Sequence, residues 1–176
     1  YTKNGREVKD GGGILPDIIV DPGDYGMIIA SLYRERLFFH YANYFRFLND
    51  TISDDFIFSD LDFSNFTSYL SDKDYTYKTE TEKTLESFKE EADKEGYFQE
   101  LSNEYAVLLD KMLANKNNDL KKSNEDIKQI LTMEIMSRYY YQKGRIKASI
   151  KFDKEVEKAI EILQNIEKYN NILSKK

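Results

Sequence analysis

The chain has 176 residues, 40% hydrophobic and 33% charged, with a net charge of −6. That size and mixture describe a folded domain with its own core and exclude a disordered segment. Without cysteine and with His40 as the lone histidine, disulfides, thiolate metal sites, a cysteine nucleophile, a histidine-rich metal site and most histidine-based triads are excluded.

The charges are interspersed, so no basic stripe presents itself to a nucleic acid. The most apolar stretch, residues 27–48, is interrupted by Arg34-Glu35-Arg36 and by Arg46, which excludes a membrane span. The first residue is Tyr1, not Met, so we expect either a removed leader or a piece of a longer protein.

Residues 1–24 carry five of the eight glycines and both prolines, Pro16 and Pro22. Asn4-Gly5 is a turn signal, Gly11-Gly12-Gly13 a loop, and Ile18-Ile19-Val20 a short β-prone run. Such a segment is too small for a core and needs a sheet from elsewhere. The Gly-Gly-Gly run reads as a plain loop, because Pro16-Asp17 follows where a phosphate cradle needs Gly-Lys-Ser/Thr opening a helix.

From Asp24 onward the pattern is helical. Asp24 is placed to cap one helix over 25–48, apolar on nearly all faces and therefore expected to be buried by several neighbours, with His40 on it as a packed or hydrogen-bonded side chain. A loop with the extended piece Phe56-Ile57-Phe58 follows, then a helix capped by Asp62 with Phe63, Phe66 and Leu70 on one side. Thr79 and Glu82 have capping-box spacing and predict a helix over 80–94, closed by Gly96. Another helix is predicted over 98–114.

Ser123 and Asp126 repeat the capping spacing before a helix to about 142, whose inner face is Ile127, Ile130, Leu131, Ile135 and Tyr139. Gly144 ends or bends it. Residues 146–152 alternate like a strand but find no partner, and are read as a helical or irregular connection. Asp153 caps a last helix with Val156, Ala159, Ile160, Leu163 and Ile166 inward. The fold class is mostly α: a multi-helix C-terminal domain, 25–176, preceded by a strand, turn and loop segment, 1–24.

Asp54, Asp55, Asp60 and Asp62 form an acidic cluster without EF-hand spacing, read as capping and solvated residues. Ser149 and Lys151 pair on paper without a surrounding signature. The 14 Tyr and 11 Phe read as core, with part left for an interface with a missing domain or a second subunit.

Thr2-Lys3-Asn4-Gly5-Arg6 followed by Gly13-Ile14-Leu15-Pro16-Asp17-Ile18 resembles the carboxyl-terminal processing peptidases, or tail-specific proteases. There a Thr-Pro-Ser-Gly-Arg turn precedes Gly-Ile-x-Pro-Asp near the end of the catalytic domain. Gly5, Arg6, Gly13, Ile14, Pro16 and Asp17 match, and Lys3-Asn4 departs. The triple glycine, and the tail with Arg138-Tyr139-Tyr140-Tyr141-Gln142-Lys143-Gly144-Arg145, are similar to the Bacteroidetes branch.

The resemblance implies that 1–24 is the edge of a serine endopeptidase domain. Its Ser nucleophile and Lys base would lie upstream, and a PDZ domain would capture protein or peptide substrates in the periplasm or cell envelope. No catalytic, cofactor-binding or metal residue is therefore assigned to this chain, and no cofactor. The helical part is expected to be structural, to shape substrate access, or to join a homo-oligomer. The alternative is a free-standing, non-catalytic helical interaction module.

Overall fold

A computed structural model describes residues 1, 5, 16–116 and 118–174. Among them are nine α-helices and no strand, so the chain is mostly α. The remaining matched turn and glycine positions, within 2–4 and 6–15, lie outside the described residues. Gly5 has a φ of 78°. Ile18, Ile19 and Val20 are irregular, with no ladder partner among the described residues.

Two compact units divide the chain, one made of residues 25–148 and the other of 1–24 with 149–176. In the first, the single helix expected over 25–48 is two: α1, Met27–Arg34, and α2, Leu37–Leu48. Gly26, not Asp24, holds the N-cap of α1. Arg36 breaks the run with a left-handed backbone, φ 55°. α1 buries Ile28, Ile29 and Leu32, and α2 buries Leu37, Phe38 and Tyr41. In one straight helix, at about 100° per residue, these two sets would face different sides. The break lets both reach one core.

Ser59 opens α3, Asp60–Tyr69, with Asp62 reciprocating as the third residue of the box rather than as the cap. Ser59 Oγ accepts from the Asp62 N–H at 3.2 Å, and Asp62 Oδ2 accepts from the Ser59 N–H at 2.9 Å. A short 3-10 turn, Leu70–Asp72, follows. α4, Glu80–Glu95, starts at the expected Thr79–Glu82 capping box and stops at Gly96, φ 83°. α5, Phe98–Lys116, returns along it as a helical hairpin. The four-residue α6, Asp119–Lys122, leads into α7, Asn124–Ile150.

The inner face of α7 is as the spacing predicts: Ile127, Ile130, Leu131 and Ile135 are buried and Tyr139 packs against them. Around them close Ile29, Leu32, Phe38, Tyr41, Phe58 and Phe66. The buried Thr132 hydroxyl donates to the Lys128 carbonyl at 2.7 Å and accepts from the Phe58 N–H at 3.0 Å. Thr132→Val keeps the shape but orphans that buried N–H. We expect it to cost about 1–3 kcal/mol, read as a lower urea midpoint at unchanged slope.

α7 bends at Tyr141, whose φ of 53° and ψ of −150° leave the helical region; Gly144, expected to end or bend the helix, lies three residues beyond the bend. Tyr139 and Tyr140 tie the near side of the bend, donating to the carbonyls of Asn49 (2.5 Å) and Ile52 (2.6 Å). On the far side Lys147 pairs with Asp54 at 2.8 Å and Asp55 at 2.9 Å. Lys128 holds Asp60 at 2.5 Å and, by hydrogen bond and charge, keeps its carboxyl below the usual range. The acidic cluster is thus neutralised by the chain's own lysines, with Asp62 in the capping box.

The second unit holds α8, Lys154–Gln164, and α9, Ile166–Ser174, separated at Asn165. Asp153 caps α8 as expected, accepting from the N–H groups of Glu155 and Val156. Lys154 Nζ donates to the Pro22 carbonyl at 3.3 Å. The apolar side of α8 expected to face inward is open: Ile160 and Ile166 are exposed, and Leu163 keeps 65% of its surface. A pair of short helices with a brief irregular segment has too little material to cover it.

Candidate interaction surface

Arg36, at the break between α1 and α2, starts an outward stripe on α2. Phe39, His40, Asn43 and Phe47 follow it at 3, 4, 7 and 11 positions, the spacing of one helical face. Phe39 and Phe47 are exposed, Phe47 by 83%. His40, expected to be a packed or hydrogen-bonded side chain, is also exposed, its ring edge-on to Phe39 at 5.7 Å. The buried side of α2 is already filled by Leu37, Phe38, Tyr41 and Ala42, so His40 falls on the outer side.

An arginine frame surrounds the stripe. Five of the six arginines, all but Arg6, lie at 34–46 and 138–145. The Arg138 guanidinium lies 4.7 Å from the Phe39 ring centre, donates to Asn43 Oδ1 at 2.7 Å and pairs with Glu134 at 3.3 Å. Arg145 reaches Glu134 from the other side of the bend at 2.9 Å. A cavity of about 340 Å³ is lined by Tyr33, Arg36, Phe38, Phe39 and Glu134. Burial, and then the Glu134 charge, raise the Tyr33 hydroxyl pKa above its usual value.

A second polar knot ties the helical hairpin. Lys116 Nζ contacts both Glu82 oxygens at 3.1 Å and donates to the Tyr77 carbonyl. Tyr77 donates its hydroxyl proton to Asp119 at 2.5 Å. Burial raises the Tyr77 pKa, and the bond to Asp119 adds to the rise. For Glu82, burial pushes upward, but hydrogen bonds from Thr79 and Lys116 outweigh it and leave the carboxyl below its usual range.

A carboxyl with a lowered folded-state pKa stabilises fully above its unfolded value, and that contribution is lost as pH falls through the folded value. We therefore expect the hairpin to loosen as pH falls from about 4.3, the ordinary Glu value. Faster amide exchange in 80–116 than in 127–135 on acidification, once intrinsic rates are corrected, checks this; Glu82→Gln should flatten the difference.

The buried serine and threonine among the described residues are both engaged structurally: Ser31 donates to the Tyr75 carbonyl at 2.7 Å, and Thr132 bridges as above. Among the described residues there is also no group of His, Cys, Asp or Glu able to hold a metal ion. No described helix is long and apolar enough to cross a membrane. What the fold presents is a helical domain with an aromatic core and an aromatic, arginine-framed outer face.

The chain belongs to the family described as the C-terminal helical domain of probable PDZ-proteases, whose model matches residues 28–163. No curated protein and no solved structure matches it. Sequence reasoning located excess apolar surface at 25–48, but not the stripe itself. The interruption Arg34-Glu35-Arg36 was the available signal that two helices meet there.

Proposed function

We propose that this chain is the C-terminal part of a carboxyl-terminal processing serine endopeptidase that cuts proteins near their C-termini with an upstream Ser/Lys dyad. The family match over 28–163 carries this reading. The Gly5-Arg6 turn and the Gly13-Ile14-Leu15-Pro16-Asp17 run support it from the other end of the chain. A lysine serves as base there only where a desolvated pocket lowers its pKa. Residues 1–24 complete the edge of the catalytic domain, and 25–176 form the helical extension. The enzyme works in the periplasm or cell envelope, on protein substrates delivered by its PDZ domain.

The helical part is non-catalytic and governs access or assembly, because its buried serine and threonine, Ser31 and Thr132, are engaged in structure while its aromatic face is open. The test uses the full-length protein with an unstructured polypeptide ending in a free carboxylate. Cleavage should vanish when the upstream serine is replaced by alanine, and persist when Ser31 of this chain is replaced. Cleavage that survives loss of the upstream serine would sink the reading.

A further inference from the structure

The first unit leaves two outer surfaces uncovered, and they are opposite in charge. One is the α2 stripe, with Arg36 at its start and Phe39 and Phe47 along it. The other lies on α5. That helix has 19 residues, includes Val107, Leu108, Leu109, Met112 and Leu113, and buries none of its residues. Glu100, Glu104, Val107 and Leu108 follow one another at 4, 7 and 8 positions, so they share one helical face. All four are exposed. Its hairpin partner α4 carries seven acidic residues against three lysines.

Both stripes begin with charge and continue with apolar side chains; the leading charges are of opposite sign, and Lys111 follows Leu108 on the α5 face. Arg36, Glu100 and Glu104 have no ion-pair partner among the described residues. A helical hairpin is one layer thick and cannot cover its own outer apolar side. An open face of this kind marks an interaction site, and complementary charge fixes which partner and which register.

We propose that the α2 stripe of one copy of this chain docks the α5 stripe of a second copy, Arg36 meeting Glu100 and Glu104 while Phe39 and Phe47 meet Val107 and Leu108. Exchanged reciprocally about a two-fold axis, the contact closes as a dimer and buries both stripes of both copies. It stands on the charge and exposure of these two faces and does not depend on the peptidase reading.

The test is sedimentation velocity on the full-length protein at low and high salt. The wild type should dimerise, more weakly at high salt as exposed pairs are screened. Arg36→Glu alone, and Glu100→Lys with Glu104→Lys alone, should each weaken dimerisation by about tenfold or more. Mixing the two variant proteins, or combining the three substitutions in one chain, should restore it, which a merely misfolded variant could not do. A monomeric wild type overturns the proposal. So does a dimer that both single-sided variants leave intact, or one that the charge exchange fails to restore.

Discussion

Replacing Phe66 by alanine is expected to lower the stability of the 25–148 unit by about 3–5 kcal/mol. Phe66 is fully buried, its ring stacked on Phe38 at a centroid distance of 5.9 Å and edge-on to Tyr41 at 4.9 Å. Its removal leaves a cavity where α2, α3 and α7 converge, and rigid helices do not collapse to refill it. Against a typical domain stability of about 5–15 kcal/mol, that loss removes a large fraction of the total. Phe47→Ala is the control: on an 83% exposed side chain it should change stability by less than about 0.5 kcal/mol. Urea melts of the two variants read both numbers. Equal costs would mean that the aromatic core has been misplaced.

The second large effect is expected at the bend of α7. A Cβ on Gly144 would sit 2.5 Å from the Tyr140 Cβ and 2.6 Å from the Met136 carbonyl oxygen. Met136 is backbone, eight residues earlier on the other side of the bend, so nothing flexible can move aside. Gly144→Ala should cost about 1–3 kcal/mol, the range for forcing extra atoms into a packed place. Tyr141→Gly should act in the opposite direction. Tyr141 is 81% exposed, and its φ of 53° with ψ of −150° is a conformation glycine adopts freely and other residues hold only under strain of about 1–3 kcal/mol. A higher melting temperature for Tyr141→Gly and a lower one for Gly144→Ala would establish a forced bend. A stabilised Gly144→Ala would show α7 to be straight.

These two residues also show where the sequence was readable. The Thr79–Glu82 box, Gly96 and Asp153 were legible because each is a local bargain between a side chain and a few backbone groups within three or four residues. The inner face of α7 was legible because 3.6-residue periodicity survives any tertiary context. The break at Arg36 was not, and the bend of α7 was read at Gly144, three residues past Tyr141, where it falls. Neither Arg36 nor Tyr141 is the glycine or proline that marks such a place, and each break is imposed by contacts from distant elements: the shared core of α1 and α2, and the ties of Tyr139, Tyr140 and Lys147 to residues 49–55. His40 was misplaced for the same reason, since a single helix buried all round leaves no outer side. On α8 the periodicity correctly found the apolar face, but periodicity cannot say whether anything covers it.

The interaction surface was only half legible. Excess aromatic surface on 25–48 could be counted, whereas the match between Arg36 on α2 and Glu100 and Glu104 on α5 needs both exposures. The family resemblance reached further than the local chemistry, because it rests on Gly5-Arg6 and Gly13-Ile14-Leu15-Pro16-Asp17.

The most direct measurement is the mass spectrum of products formed when the full-length protein is incubated with an unfolded protein of known sequence. We predict fragments released from the C-terminal end, with no dependence on added metal. An intact substrate after prolonged incubation, under conditions where the full-length protein is folded, would contradict the proposal.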